Sequence, residues 1–214
     1  MGCWRSIMTV ANDITVAVVL LAAGRSTRMG EAGQHKLLAE FDGMPLVRRS
    51  AQVAIASSAT STTVVTGYRS DEIERVLSSL PLHLVENPEY ASGMASSLIA
   101  GVSTKAAGEA DGVMIMLADM PAITVDNLAA LIVAFQGAQG QAIVRAVSHG
   151  QRGNPVILPR TILPKILELN GDVGARSIIE ASGLPVIDVE IGQAALIDVD
   201  TPEQVITAGG RLDG

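Results

Sequence analysis

The chain is poor in cysteine and in aromatic residues. Cys3 is its single cysteine, so no disulfide can form within the 214 residues, and the sequence has no Cys/His cluster of the zinc-binding type. Aromatic residues make up 2% of a chain that is 48% hydrophobic, so aliphatic residues and alanine must fill the core. No hydrophobic run approaches the roughly 20 residues that a transmembrane helix needs. A disulfide scaffold, a zinc domain and a transmembrane helix are therefore not expected.

Positive charge is also scarce. The chain has 15 Lys and Arg residues against 22 Asp and Glu, which gives a net charge of −7 and a pI near 4.9. This balance argues against nonspecific binding to nucleic acid or to an anionic membrane, so neither is expected as a partner. The length is sufficient for one sizeable α/β domain with a full core.

The N-terminus is expected to be a loose lead-in, residues 1–13, before a single domain over 14–214. Arg5 and the apolar residues after it imitate a signal peptide. Asp13 interrupts that pattern, however, and removal of the whole apolar segment up to Ala23 would discard the first predicted strand. We therefore predict a cytoplasmic protein.

The strongest functional signal is a loop, residues 21–36, with the sequence LAAGRSTRMGEAGQHK. It follows a β-branched apolar run over 14–21 that predicts a buried parallel strand. Gly24 and Gly30 are expected to adopt positive φ and to bring the backbone close to a ligand. The loop also concentrates three cations: Arg25, Arg28 and Lys36. Backbone N–H groups and cations at the carboxyl end of a first strand predict a nucleotide phosphate site, with a basic surface loop as the alternative.

Two common phosphate loops do not fit this segment. A dinucleotide fold requires G-x-G-x-x-G, whereas the glycines here are Gly24, Gly30 and Gly33. A P-loop requires G-x-x-x-x-G-K, but Gly24 and Gly30 are one residue too far apart and Glu31 stands where the lysine should be. A different class of nucleotide-binding protein is indicated.

Strand and helix patterns alternate along the whole chain. The predicted strands are 14–21, 61–67, 82–85, 112–117, 142–147, 155–158, 185–191 and 196–199, with a Gly-rich turn over 149–154. Helices are predicted to begin near Pro45, Ser70, Gly93, Thr124, Ile162, Gly171 and Thr201. The alternation predicts a single three-layer α/β/α domain with a mainly parallel, Rossmann-like sheet and ligands at the carboxyl ends of its strands.

A first carboxylate with a metal-binding context is Asp119. It comes directly after the predicted strand 112–117, and Pro121 prevents that strand from continuing. Carboxylates together with substrate phosphates are typical ligands of Mg²⁺. Asp119 is therefore predicted to bind Mg²⁺, the alternative being a turn aspartate that bonds its own backbone.

A second carboxylate is predicted near the C-terminus. Period-two alternation places Asp198 and Asp200 on the same face of a strand. Thr201 can cap the following helix, with Pro202 at its first position and Gln204 completing a capping box. That arrangement leaves Asp200 free for the metal. The alternative is that Asp200 is itself the cap, in which case Asp198 is the next candidate ligand.

Five segments resemble the molybdenum cofactor cytidylyltransferases, which belong to the molybdopterin nucleotidyltransferase (MobA-like NTP transferase) family. They are the loop over 21–36 and the segments 66–69, 87–97, 119–121 and 198–202. The resemblance implies a GT-A-like nucleotidyltransferase sheet. Two departures are Ala118 where the family has glycine before the aspartate, and a longer loop segment over 31–35.

The resemblance also implies a set of site residues. Those at the nucleotide would be Leu21, Ala22, Ala23, Gly24, Arg25, Arg28, Lys36, Gly67, Asn87, Gly93 and Ser97. The catalytic residues would be Arg28, Lys36 and Asp119, and the Mg²⁺ ligands would be Asp119 and Asp200. Those on the pterin side would be Gly153, Asn154, Pro155 and Arg176, the last at a helix start over 172–176.

The expected reaction transfers CMP from CTP to the terminal phosphate of molybdopterin and releases pyrophosphate. Cytosine is favoured because relatives that use guanine tend to have glycine where this chain has Ala23. The alternatives are a guanylyltransferase, a transferase acting on a sugar or isoprenoid phosphate, and a noncatalytic carrier of the pterin cofactor. The expected partners are a nucleoside triphosphate, a molybdopterin-type substrate and a client molybdoenzyme.

Overall fold

A computed structural model describes residues 14–29, 35–171 and 174–212. Some of the predictions made above lie outside these described residues: the lead-in 1–13, the positive φ of Gly30, the long loop segment over 31–34 and the predicted helix start at 172–173.

The strands and helices alternate much as their patterns predict. The strands are β1 (Val16–Leu21), β2 (Glu40–Phe41), β3 (Met44–Pro45), β4 (Ser61–Thr66), β5 (His83–Glu86), β6 (Gly112–Leu117), β7 (Ile143–Ser148), β8 (Gln151–Pro159), β9 (Val186–Glu190) and β10 (Gly210–Arg211). The helices are α1 (Leu46–Ala56), α2 (Ser70–Leu77), α3 (Met94–Val102), α4 (Lys105–Glu109), α5 (Val125–Gly137), α6 (Leu163–Ile166), α7 (Arg176–Ala181) and α8 (Pro202–Thr207). Short 3-10 turns lie at Lys36–Leu38, Tyr90–Ser92, Arg160–Ile162 and Gly192–Ala195.

The central sheet of the described residues has seven strands in the order β5-β4-β1-β6-β8-β7-β9. Pairing is parallel between β5, β4, β1 and β6 and between β7 and β9, whereas β8 runs antiparallel to both of its neighbours. The register of β1 with β6 places Leu21 opposite Leu117. The loops that follow these two strands therefore begin side by side, and the predicted mainly parallel α/β sheet is confirmed.

Helices cover both faces of this sheet. Along β1 the side chains alternate: Val16, Val18 and Leu20 belong to one core, and Val19 belongs to the other. The first core contains buried residues of α1, α2 and α5, and the second contains those of α3, α4, α6 and α7. The predicted three-layer α/β/α arrangement is therefore confirmed.

A third, smaller core joins the two ends of the domain. Its buried members are Met29, Ala39, Phe41, Leu46, Val199 and Val205. In the same region β10 pairs with β2, which pairs with β3. The C-terminal segment is thus packed against Met29 of the predicted phosphate loop and against residues that follow this loop.

The predicted turn over 149–154 is mostly wrong. Only His149 and Gly150 turn, both with positive φ, and β8 begins at Gln151. Its register with β7 shifts between Arg145 and Val147, and the peptide bond before Pro155 is cis. A proline cannot donate to a neighbouring strand, so this part of β8 bulges, and its pairing with β7 resumes at Val156.

The predicted strand over 196–199 is also wrong. This segment is irregular and follows the 3-10 turn that ends at Ala195. It is held by a backbone hydrogen bond from Val199 N to Asp119 O (3.0 Å) rather than by a strand ladder. Helix α2 begins at Ser70, as predicted, and its cap position is Arg69, whose backbone is left-handed (φ 56°).

Across the described ranges, no helix is both long and apolar enough to cross a membrane.

Candidate functional site

The main candidate site is a cavity of about 620 Å³ at the carboxyl ends of β1 and β6. Of the residues predicted at the nucleotide, eight line it: Leu21, Ala23, Gly24, Arg25, Arg28, Lys36, Gly93 and Ser97. The carboxylates of Asp119, Asp198 and Asp200 lie in the same wall. The structure therefore brings the predicted phosphate loop and the predicted metal ligands into one cavity.

The loop after β1 bends differently from the prediction. Gly24 is not among the residues with positive φ, and the left-handed residue in this part of the loop is Ser26 (φ 51°). A Cβ atom built on Gly24 would meet no other atom within 4 Å. The expected positive φ of Gly24 is therefore wrong, and the backbone at Gly24 faces open space in the cavity.

Lys36 lies at the centre of the charged wall. Its Nζ donates to Asp119 Oδ2 and to Asp200 Oδ1, each at 2.6 Å, and its side chain is only 11% exposed. Burial by itself lowers the pKa of this ammonium. The charges and hydrogen bonds of the two carboxylates outweigh that effect and raise it above its usual value. Lys36 is therefore a fixed cation, in contact with both predicted metal ligands.

Asp200 is available for this contact because another residue caps α8. The Thr201 side chain accepts from Gln204 N, and Gln204 completes the predicted capping box with Pro202 at the first turn. The alternative in which Asp200 is the cap is therefore wrong. Asp200 accepts hydrogen bonds from Lys36 and from Arg28, and these cations hold its pKa below the usual value.

The three aspartates have the chemistry of a divalent metal site. Carboxylate oxygens of Asp119, Asp198 and Asp200 lie within 4.8 Å of one another. Asp119 Oδ1 is buried, and the described residues offer it no hydrogen-bond partner, so it has a free lone pair. Burial, together with the charges of Asp119 and Asp200, raises the pKa of Asp198. Hard oxygen ligands with excess negative charge fit a cation such as Mg²⁺ or Mn²⁺.

Three of the residues predicted at the nucleotide do not line the cavity and instead pack beneath its wall. Ala22 is buried, and a Cβ atom on Gly67 would come within 2.8 Å of the Ala23 Cβ. Asn87 is also buried, and its Nδ2 donates to the Oγ atoms of Ser96 and Ser97 at 2.9 and 3.0 Å. Gly67 and Asn87 therefore shape the wall and do not line it.

A second cavity, of about 260 Å³, adjoins the first and shares Leu21, Met94 and Leu117 with it. Gly153, Asn154 and Arg176 line this cavity, whereas Pro155 is buried. A Cβ atom on Gly153 would lie 2.1 Å from Ala195 O, so only glycine fits there.

Arginines surround this second cavity. Arg152 Nη1 and Arg176 Nε both donate to Glu180 Oε1, at 3.0 and 3.2 Å, and Arg145 is paired with Asp188. An apolar cavity with arginines at its wall suits an anionic ligand with a flat or apolar body.

Sequence reasoning missed an aromatic cluster beside the main cavity. The His35 ring stacks on Tyr68 with centroids 5.7 Å apart, and Tyr68 lies 6.3 Å from Tyr90, which lines the cavity. The adjacent Arg69 forms an ion pair with Glu72. Tyr68 and Tyr90 are the only two tyrosines in the chain, and His35 directly precedes Lys36. In a chain with so few aromatic residues, the position of both tyrosines near the predicted site was the sequence signal that could have revealed this cluster.

Curated relatives match most of the chain. It is 29% identical to the purine catabolism protein PucB of Bacillus subtilis over 198 residues, which cover 87% of this chain and 92% of the relative. It is 24% identical to the molybdenum cofactor cytidylyltransferase of Escherichia coli over 194 residues, covering 90% and 95%. It is 27% identical to the nicotine blue oxidoreductase of Paenarthrobacter nicotinovorans over 196 residues, covering 89% and 94%.

Solved structures share the fold. A nucleotidyl transferase from Methanothermobacter thermautotrophicus superposes with a TM-score of 0.77 at 21% identity, covering 91% of this chain and 96% of the other. The Mycobacterium tuberculosis protein Rv0371C, solved in complex with manganese, superposes with a TM-score of 0.73 at 20% identity, covering 91% and 98%.

The model of the MobA-like NTP transferase domain matches residues 18–186. This range runs from β1 to the start of β9 and includes the phosphate loop, Lys36 and Asp119. The chain therefore belongs to the MobA-like NTP transferase family.

Proposed function

We propose that this protein is a divalent-metal-dependent cytidylyltransferase that transfers CMP from CTP to the terminal phosphate of molybdopterin. The observation that carries the proposal is Lys36 Nζ, held 2.6 Å from both Asp119 and Asp200 in a cavity lined by the loop after β1. The similarity to the E. coli molybdenum cofactor cytidylyltransferase supports the choice of donor and acceptor.

The roles of the residues follow from charge. Attacker and leaving group are both phosphates, so the chain must orient them in line and neutralise their negative charge. Arg28 is 71% exposed at the cavity rim, where it can reach a triphosphate, and Lys36 supplies a buried cation at the floor. No side-chain nucleophile is required for direct transfer between two phosphates.

Asp119 and Asp200 would hold the metal, with Asp198 as a further oxygen donor. When bound, Mg²⁺ polarises a phosphoryl oxygen and stabilises the charge that develops on pyrophosphate. The fit of the site to a divalent cation is supported by the free lone pair of Asp119 Oδ1 and by the manganese complex of Rv0371C.

The acceptor would bind in the second cavity. Gly153 and Asn154 line it, and Arg176 lies at its wall beside Arg152. An apolar wall with arginines fits a pterin that carries a phosphate. The domain bounds 14–214, a cytoplasmic location and delivery of the product to a client molybdoenzyme are parts of the same proposal.

The test measures pyrophosphate release by the purified protein with Mg²⁺ and molybdopterin, using CTP, GTP and ATP in turn. We expect release with CTP to be fastest and to depend on molybdopterin, with the dinucleotide product identified by mass spectrometry. Fastest release with GTP would instead indicate a guanylyltransferase. Release that occurs only with a sugar or isoprenoid phosphate would change the acceptor.

The noncatalytic carrier makes a different prediction. It would bind molybdopterin in calorimetry, yet would release no pyrophosphate with any nucleotide. Because the relatives include a nicotine blue oxidoreductase at 27% identity, product identification is as important as the rate.

A further inference from the structure

We propose that His35 is a positioning residue that fixes the direction of Lys36 by joining the end of the phosphate loop to the loop that follows β4. The inference rests on the proposed function, in which Lys36 acts on the phosphates. It concerns a histidine that does not itself line the cavity.

His35 forms the cap of the turn that carries Lys36. Its Nδ1 accepts from Leu37 N at 3.2 Å, and its carbonyl oxygen accepts from Leu38 N at 2.9 Å and Ala39 N at 3.2 Å. His35 is therefore the N-cap of the 3-10 turn Lys36–Leu38. These bonds determine the backbone direction from which the Lys36 side chain leaves the turn.

The imidazole also joins this turn to a second loop. His35 is 3% exposed, and its ring stacks on Tyr68 at an interplanar angle of 17°. Tyr68 follows Gly67, and its N–H donates to Ala23 O at 3.3 Å. Through this stack the turn that carries Lys36 contacts the loop after β4, and that loop is bonded to Ala23 in the cavity wall.

The chemistry of the cap requires a neutral ring. Burial, followed by the nearby charge of Arg69, lowers the pKa of His35 to about 4. A neutral imidazole can accept at Nδ1, whereas an imidazolium donates at both nitrogens and cannot accept from Leu37 N. The burial that joins the two loops therefore also keeps the acceptor available.

The importance of this anchoring lies in the flexibility of lysine. Its four-carbon side chain has about 2 kcal/mol of rotamer entropy, so two hydrogen bonds at its tip define its position poorly if the backbone moves. Lys36 Nζ must reach Asp119 and Asp200, which lie 83 and 164 positions along the chain. A cap on its own turn supplies the missing constraint.

Three variants separate the cap from the stack. His35→Asn keeps a short acceptor that can cap the turn but removes the ring. His35→Ala removes both. Tyr68→Leu leaves the cap and removes the stack, together with the ring contact to Tyr90. We expect kcat for pyrophosphate release to fall about tenfold or more in His35→Ala and to recover part of that loss in His35→Asn, which restores the cap without the ring. KM for the acceptor should change less than kcat. Tyr68→Leu, which also keeps the cap and loses the stack, should resemble His35→Asn.

A matched control excludes a simple loss of stability. Gly112→Ala introduces a Cβ 2.4 Å from the buried Phe135 ring, at the end of β6 remote from Asp119. It should destabilise the fold while kcat per folded molecule stays normal. If His35→Ala behaves like this control, or if His35→Asn is no better than His35→Ala, the positioning role is overturned.

A readout independent of turnover separates this inference from the proposed function. Hydrogen exchange at the Leu37 amide should accelerate at least tenfold in His35→Ala and stay near normal in His35→Asn. If the unmodified protein releases no pyrophosphate, the proposed function fails, but the exchange data still test the cap. Unchanged exchange in His35→Ala would overturn the cap even in an active enzyme.

Discussion

At the scale of single residues, the site depends on one ammonium group and two carboxylates whose opposite charges neutralise one another. Lys36 and Asp119 are both largely buried, and neither could be left charged there without a partner. Asp200 receives a second cation, Arg28, from the exposed rim. The cluster is consequently sensitive to the loss of any single charge.

The carboxylate pair provides the first prediction. Asp119→Asn and Asp200→Asn keep the side-chain shape but remove the charge that a hard cation needs. Each should lower kcat by about a hundredfold or more. The double variant should be little worse than either single one, because residues that act as a unit are not additive. Asp126→Asn, an exposed carboxylate in α5, is the matched control and should leave the rate unchanged.

Lys36 provides a second prediction, measured without turnover. Since its ammonium already neutralises both carboxylates, Lys36→Met should raise the affinity for Mn²⁺ in the absence of nucleotide by at least about tenfold, or roughly 1.4 kcal/mol. Arg28→Met removes a cation from the same cluster, but one that is 71% exposed and screened by water, so its effect should be smaller. Equal gains in Mn²⁺ titrations would argue against a special position for Lys36.

The lowered pKa of His35 predicts how the stability of the fold depends on pH. Its folded pKa of about 4 lies below the ordinary 6.5, so between these values the unfolded chain binds a proton that the folded chain does not. The free energy of unfolding should therefore fall as pH decreases through this window, by about 3 kcal/mol at most. Urea unfolding at pH values from 7 to 4.5 should show this loss in the unmodified protein. A parallel loss in His35→Asn would assign it to other groups.

At the scale of elements, the candidate site and the tight contact between Gly112 and Phe135 lie at opposite ends of β6. Asp119 follows the carboxyl end of β6, whereas Gly112 begins that strand beneath the Phe135 ring of α5. Changes at the amino end of β6 should therefore alter stability without altering the site.

Two glycines test this separation. Gly112→Ala overpacks the core, because its Cβ would lie 2.4 Å from the buried Phe135 ring, and should cost about 1 to 3 kcal/mol of unfolding free energy. Gly108→Ala in α4 meets no atom within 4 Å and should instead stabilise by up to about 1 kcal/mol, because alanine favours the helix. Both variants should keep normal kcat per folded molecule. A large loss of kcat in Gly112→Ala would show that the two ends of β6 are coupled.

At the scale of the whole molecule, the cavity is built from segments that are far apart in the chain. Ligands that bind it should therefore stabilise the domain as a unit, by about 2.7 kcal/mol at a hundredfold excess over Kd. For a domain of this size that corresponds to a Tm increase of about 5 to 10 °C.

Thermal unfolding with CTP, with Mn²⁺ and with both together measures this effect. We expect the increase with both ligands to exceed the sum of the single increases, because phosphates and carboxylates share the cation. In Asp119→Asn the metal-dependent part should disappear. An additive response, or an unchanged one in that variant, would place the cation elsewhere.

Much of this protein followed from local sequence pattern. Strand-helix alternation predicted the three-layer fold, the loop after β1 predicted eight residues that line the main cavity, and Thr201 with Gln204 predicted the cap of α8. These features depend on residues close in sequence, where periodicity and capping chemistry act directly.

Tertiary structure decided the rest. Asp200 reaches Lys36 across 164 positions because Val199 N bonds to Asp119 O and Val199 joins the third core with Met29, although the segment is not the predicted strand. The reversal of β8 and the stacking of His35 on Tyr68 likewise depend on long-range pairing. A local pattern records which face of a segment is apolar, but not which distant segment will cover it. For that reason many residues of the cavity wall could be named from sequence, and the contacts between them could not.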